Sequence, residues 1–340
     1  MKPRPLETHI DWTSDDVADP RVWTVELTPQ DHRELDAALA QAKSVSANLL
    51  DIGKEHFPLD GLARKLEDVA RELIDGRGFT RIAALDHARY GDDDLTMLYW
   101  GIGLHLGDPW PQNAKGHVMG DVTDQGKKLS DPTFRGNELG QVALDYHTDG
   151  ADVIGLMCLR KARSGGLSCV ANAVAIYNAL VAQRPDLAEI LFAPQPYDLR
   201  GEQAPGAKPF YTFPVFTEHD GRFFIRFIPA YIRASQRHAE APRLTPLVLE
   251  ALDTVSAMAR DPRYNVYMDL EPGEMQFINN YHVLHGRTSY EDGDGRKRHL
   301  KRLWLATHAL TNRPAHFRRN VDHHWARNRS VSRIAAEVRM

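Results

Sequence analysis

The chain has 340 residues, 42 basic against 46 acidic side chains, a formal charge of −4 and 42% hydrophobic residues. That length can bury a large core in one domain, and the near-balanced charge implies no nucleic-acid footprint. The longest apolar runs, such as Val153–Leu159, are too short to span a bilayer, and Met1–Glu7 lacks the apolar stretch of a signal peptide.

The chain opens with helical sequence. Thr28-Pro29 reads as a cap and first-turn proline, and Leu35, Leu39 and Ala42 come after it at helical spacing. A second helix is predicted over Leu62–Ile74, with Leu62, Leu66, Val69 and Leu73 on one face and Gly76 as its stop. Phe79–Leu85 reads as a strand and Asp94–Leu106 as a third helix. These helices carry no catalytic signature, so their apolar stripes are expected to face the core. From Leu139 onward the pattern is strands and turns. Val153–Arg160 and Leu167–Ala171 flank a Gly165-Gly166 turn, and Asn172 caps a helix through Val181. Pro194–Lys208, rich in Pro and Gly, is expected to be a lid or a plain connector. Phe210–Phe216 and Arg222–Ile228 read as a hairpin around Asp220-Gly221. Thr245-Pro246 starts a helix to about Arg260, and Met275–Ile278 and Leu300–Thr307 are the last strands.

This order predicts a mixed α+β chain, a double-stranded β-helix (jelly roll) core buttressed by helices. We expect one catalytic domain over 1–340: a mainly helical part at 1–77, the β-helix core at 78–308 and a basic tail at 309–340. The tail holds seven Arg between Arg313 and Met340 against Asp322 and Glu337. It reads as a solvated tail or a packed C-terminal helix rather than as an anion-binding element. The adjacent His323 and His324 point apart on any regular element and are not counted as ligands.

Two distant stretches share one chemical meaning. The first is Tyr146-His147-Thr148-Asp149-Gly150, and the second is Asn280-Tyr281-His282-Val283-Leu284-His285-Gly286-Arg287. On a strand, residues i and i+2 share a face, so His147 and Asp149 can converge on one ion. A distal His completes a two-histidine, one-carboxylate facial triad, a set that suits Fe(II) better than the all-oxygen shells of Ca or Mg. A lone His is more often a hydrogen-bonded or solvated side chain, and the chain has 16. The residues after His285 shift that balance. Beyond the polar loop Glu291–Gly295, arginines enter a strand at Arg296–Leu305, and a fixed guanidinium fork near iron is what a dicarboxylate co-substrate needs.

With His147-x-Asp149, Gly165-Gly166-x-Ser168, His285 and the arginine pair in that order, the chain resembles the taurine dioxygenase (TauD/TfdA) family of Fe(II)- and 2-oxoglutarate-dependent oxygenases. The resemblance runs from about Gly78 to Thr307. It leans toward the γ-butyrobetaine hydroxylase branch through Asn280-x-x-Val283-Leu284-His285-Gly286-Arg287. It implies that His147, Asp149 and His285 bind iron and that Arg298 grips the far carboxylate of 2-oxoglutarate. Ser168 stands where many members place a Thr that assists; the hydroxyl donor is kept. Arg302 matches a position used for a substrate anion or the co-substrate. His285 fits the spacing to Asn280 and Gly286-Arg287 better than His282, which is then a packing residue or a support behind the ligands.

The resemblance further implies a cytoplasmic dioxygenase that consumes O2 and 2-oxoglutarate, releases succinate and CO2, and hydroxylates an unactivated C–H bond of a small molecule. Related halogenases replace the carboxylate with a small residue; the presence of Asp149 argues for hydroxylation or another halide-free oxidation such as desaturation. Arg302, with Arg160 or Lys161, points to an anionic or zwitterionic substrate, although solvation explains Arg160 and Lys161 equally well. Gly116–Val122 lies where such enzymes build substrate or co-substrate contacts. No nucleic acid or membrane partner is expected, and a homo-oligomer stays open. Cys158 and Cys169 read as buried free thiols, in keeping with a reducing compartment that preserves Fe(II). The rival readings are a non-catalytic metal- or ligand-binding β-barrel and a zinc hydrolase on the same ligands. Neither needs a buried anchor for a second carboxylate.

Overall fold

The computed structural model describes residues 2–113, 116–127, 140–203, 205–293 and 295–314, together with Gly136 and Phe317. The tail that contains His323 and His324 lies outside the described residues. Within its described start, Arg313 reaches back to the buried carboxylate of Asp152, with Nε 2.8 Å from Oδ1.

The fold is mixed α+β. A seven-stranded sheet takes the order Thr24–Val25, Phe79–Ile82, Met275–Asn279, Val153–Arg160, His299–Ala306 and Asp108–Pro109, and Met119–Val122 also pairs with His299–Ala306. A four-stranded antiparallel sheet takes the order Asn265–Met268, Ser168–Asn172, Val283–Arg287 and Leu144–His147. One apolar cluster joins residues of both sheets: Ile154, Cys158, Ile278 and Leu300 from the larger, Val170 and Val283 from the smaller. The larger sheet is covered by the helices Pro29–Val45, Gly61–Asp75 and Asp92–Leu106. Leu35, Leu66 and Leu98 share one core with the sheet residues Met157, Phe277 and Leu303. The helices Ala173–Gln183 and Pro246–Arg260 pack on the smaller sheet. Val153–Arg160 is therefore covered on both faces, which is why it reads as an unbroken apolar run.

Local chemistry explains the element ends. Thr28 and Asp31 close a capping box, with Asp31 N–H donating to Thr28 Oγ1 at 3.2 Å and Thr28 N–H donating to Asp31 Oδ2 at 2.7 Å. Asn172 Oδ1 accepts from the N–H groups of Val174 and Ala175 at 2.9 and 3.1 Å. Asp220 and Gly221 both take positive φ, 49° and 73°, the geometry a two-residue hairpin turn needs.

Three expectations are corrected. The hairpin arm predicted over Phe210–Phe216 is split, so that Phe216–His219 pairs with Arg222–Ile225 while Phe210–Pro214 turns back on Pro194–Asp198. The predicted connector Pro194–Lys208 thus begins as a strand. Its prolines are tolerated because each strand of a two-stranded ribbon keeps one edge free of ladder bonds. Thirdly, the strand carrying His147 ends at His147, and Asp149 lies in the turn beyond it rather than on the same strand.

Candidate metal centre

His147 and His285 face each other across neighbouring strands, in direct register, with ring centroids 4.2 Å apart. The turn after His147 brings Asp149 between them. Its Oδ1 lies 4.0 Å from His147 Nε2 and its Oδ2 lies 3.8 Å from His285 Nε2. The three potential ligand atoms all lie within 4.8 Å of one another, the only such group of three found among the described residues. The side chains keep 11–16% exposure, so the cluster is recessed but reachable.

The protonation states fit a cation. His147 Nδ1 lies 2.8 Å from the Asp145 carbonyl, which can only accept, so Nδ1 carries a proton and Nε2 is the nitrogen turned toward Asp149. Burial, with the charge of His147, holds His285 down at about 3, so its imidazole is neutral. Burial pulls the Asp149 carboxyl up, but Arg302, the two histidines and the Trp304 N–H outweigh it and hold the group at about 2. A buried imidazole held neutral, a second imidazole tied through Nδ1 to the Asp145 carbonyl, and one carboxylate therefore converge, the donor types Fe(II) takes.

Arg302 stands against this cluster. Its Nη1 is 3.4 Å from Asp149 Oδ2, its Nε donates to Gln112 Oε1 at 2.8 Å, and its guanidinium lies 5.3 Å from the Trp304 ring centroid. Trp304 Nε1 donates to Asp149 Oδ2 at 3.0 Å. Gln112 Nε2 in turn donates to the carbonyls of Arg302 and Val118, at 2.8 and 2.9 Å. Through Gln112 the Gly116–Val122 segment supports Arg302. Gln112 and Trp304 carried no sequence signal, because only the fold brings them to Asp149 and Arg302.

Arg298 is buried just before the His299–Ala306 strand and does not touch the triad. Its Nη2 donates to the Gly166 carbonyl at 3.0 Å, and its guanidinium lies 5.4 Å from the Tyr290 ring centroid. Burial, then the charge of nearby Arg287, lowers it to about 10. No carboxylate pairs with its guanidinium among the described residues. The Gly165-Gly166 turn now has a reason. Gly166 sits at φ +75°, and a Cβ there would come within 2.8 Å of Arg298 Nε. Ser168 lies opposite Arg287 in register, and its hydroxyl donates to Gln276 Oε1 rather than to a group in the cluster.

His282 is buried away from the triad, with Nδ1 3.1 Å from the Asn279 amide nitrogen, and burial lowers it to about 4. Arg160 and Lys161 lie in ion pairs with Asp92, at 2.6 Å, and with Asp269 and Glu271, at 2.7 and 2.6 Å. Neither belongs to the cluster of His147, Asp149 and His285.

Residues 39–304 match the family described as taurine catabolism dioxygenase TauD, TfdA family. The chain belongs to the TauD/TfdA family. It is thereby a non-haem Fe(II)- and 2-oxoglutarate-dependent dioxygenase, as the triad and the buried arginine anticipate. This TauD/TfdA chain is 30% identical over 311 residues to FR-33289 synthase of Streptomyces rubellomurinus, covering 89% of this chain and 90% of that protein. It is 28% identical to taurine hydroxylase-like protein SAT17 of Stachybotrys chartarum, covering 88% and 79%. Its fold is similar to that of asparagine oxygenase solved with Fe(II), 3-hydroxyasparagine and succinate, with a TM-score of 0.64 at 18% identity over 84% of this chain and 94% of the other. Among the described residues no helix is long and apolar enough to cross a membrane.

Proposed function

We propose that His147, Asp149 and His285 hold Fe(II), that Arg298 takes the far carboxylate of 2-oxoglutarate with help from Ser168, and that Arg302 takes an anionic group of a small substrate. The observation that carries this reading is the convergence of two imidazole Nε2 atoms and the Asp149 carboxylate, with ligand atoms within 4.8 Å of one another. Bound Fe(II) supplies O2 activation, and the overall change is 2-oxoglutarate, O2 and R–H to succinate, CO2 and R–OH. The chain's own part is to fix geometry. Asp145 sets the tautomer of His147, Trp304 and Arg302 hold the Asp149 carboxylate, and Arg298 offers a buried charge where a dicarboxylate loses its water. For Ser168 to assist, its hydroxyl exchanges Gln276 for the co-substrate.

The substrate class rests on Arg302. Gln112 fixes its Nε, Nη1 faces Asp149 Oδ2 and Trp304 backs its plane, which preorganises the guanidinium beside the metal site. A carboxylate or similar anion on a small zwitterion or acid fits it. We also read the two sheets as the two faces of a double-stranded β-helix, and 1–340 as one catalytic domain. Its support is the common core that joins Leu35 and Leu66 of the helical part to Phe277 and Leu303 of the sheet. A reducing cytoplasm suits the two buried free thiols, Cys158 and Cys169.

The test is substrate-stimulated succinate release across a panel of small amino acids and organic anions. Arg302→Ala raises the KM of whichever compound stimulates turnover by about 30-fold or more, roughly 2 kcal/mol, with a smaller change in the 2-oxoglutarate requirement. A larger shift for 2-oxoglutarate than for the substrate would reverse the roles of Arg302 and Arg298.

A further inference from the structure

The strand before the first two ligands stops at His147, so no sheet hydrogen bond fixes Asp149. Both of its main-chain groups are instead held by side chains from far along the sequence. The Asp149 N–H donates to Asn280 Oδ1 at 2.8 Å, and the Asp149 carbonyl accepts from Arg226 Nη1 at 3.2 Å. Asn280 also donates through Nδ2 to the Ala151 carbonyl, and its own N–H donates to the Asp152 carbonyl, both at 2.9 Å. The neighbouring peptide is tied the same way: Thr148 N–H donates to the Phe227 carbonyl at 2.8 Å, and Phe227 N–H donates to Thr148 Oγ1 at 3.0 Å.

Arg226 is the unusual member of this set. It is 8% exposed, and no carboxylate pairs with it among the described residues. Its guanidinium lies among three rings, with centroids of Tyr197, Tyr211 and Phe213 at 5.8, 5.7 and 5.5 Å. Its Nε and Nη2 donate to the Tyr211 hydroxyl at 3.2 and 2.7 Å, and the Tyr197 hydroxyl donates to its carbonyl at 2.6 Å. A buried guanidinium without an anion is costly, and an apolar side chain would fill an aromatic pocket at less expense. What the cation adds is a charge-assisted hydrogen bond to the Asp149 carbonyl, aimed by Tyr211 and by the ring faces.

We propose that Arg226, together with Asn280, is a positioning residue that sets the Asp149 carboxylate toward the metal by holding the peptide groups of that residue. This rests on Asp149 being a ligand. Neither residue touches the metal position; they act through the backbone of the one ligand that lies off the sheet. His147 and His285 need no such clamp, because their strands hold them.

The test is anaerobic Fe(II) titration of the metal-free protein, with the visible spectrum of the Co(II)-loaded protein as a second readout of ligand geometry. Arg226→Met fills the pocket without a donor. It should lower Fe(II) affinity by about 10- to 100-fold and alter the Co(II) bands, as loss of a ligand's support does elsewhere. Arg226→Lys should recover little, since one ammonium cannot serve Tyr211 and the Asp149 carbonyl together. Arg222→Gln is the control on the same hairpin, because its half-exposed ion pair with Asp75 is remote from the triad; it should titrate like wild type. A folded Arg226→Met variant with wild-type affinity and unchanged Co(II) bands would overturn the proposal. If Arg226→Met does not fold, Tyr211→Phe replaces it. That variant removes the hydroxyl that aims the guanidinium and should cost about 2- to 10-fold in affinity, with wild-type affinity again overturning the proposal. Asp149→Ala is titrated in parallel. Retained affinity there would overturn the ligand assignment itself, whereas loss there with none in the Arg226 and Tyr211 variants would overturn the clamp alone.

Discussion

Arg298→Ala should raise the 2-oxoglutarate requirement by about 30- to 5000-fold, because removing one partner of a desolvated charge pair costs roughly 2–5 kcal/mol. Fe(II) affinity should stay near wild type, since Arg298 does not contact His147, Asp149 or His285. The large effect stems from the setting of Arg298: it is buried, its free-state charge is disfavoured by burial and by Arg287, and its partner in the chain is a neutral carbonyl. An incoming carboxylate supplies the missing anion. Arg298→Lys should rescue only in part, because an ammonium lacks the planar fork. Ser168→Ala should cost about 0.5–1.5 kcal/mol, the loss of one neutral donor. The check is succinate release over a 2-oxoglutarate concentration series for each folded variant. Unchanged dependence in Arg298→Ala, with the dependence lost in Arg302→Ala, would exchange the two roles.

Removing any one of His147, Asp149 or His285 should lower Fe(II) affinity by at least about 100-fold, beyond the range typical of supporting residues. His282→Ala should bind Fe(II) like wild type, for His282 is buried beside Asn279 and outside the cluster. Its cost should appear as lower thermal stability, about 1–3 kcal/mol for a buried polar side chain removed from its partner. Equal iron loss in folded His282→Ala and His285→Ala variants would contradict the assignment.

Much of the fold is legible in the sequence wherever one local signal is strong. Thr28-Pro29, Asn172 and Thr245-Pro246 mark helix starts because their side chains cap the first turn whatever surrounds them. Val153–Arg160 is legible because it is covered on both faces. The strands Val283–Arg287 and Asn265–Met268 are harder to see. Each is short, and polar or glycine residues interrupt the apolar pattern; pairing with Ser168–Asn172, and for Val283–Arg287 also with Leu144–His147, makes them strands. The break at Val215 is likewise a tertiary effect: Val215 and Phe216 donate their N–H groups to the Leu191 carbonyl, which splits one predicted arm into two.

The site divides along the same line. The triad is legible because its residue types carry the chemistry and their order survives in the chain. Arg298 stands out as an arginine entering a strand. The groups that hold these residues are not legible. Trp304 and Arg302 reach Asp149 from about 155 positions away, Arg226 from 77, and Gln112 reaches Arg302 from 190. Their partners exist only once the sheets are assembled. The sequence also places Asp149 on a strand, whereas it lies in a turn, and that difference is what makes its backbone clamp necessary.

The most direct test of the metal and co-substrate assignment is an anaerobic titration of the wild-type protein with Fe(II) and 2-oxoglutarate, followed in the visible range. The expected result is a weak charge-transfer band that requires both additions, saturates at one equivalent of iron, and is absent from the Asp149→Ala and His285→Ala proteins. No band at saturating Fe(II) and 2-oxoglutarate, or a band of undiminished strength in those two variants, would contradict it.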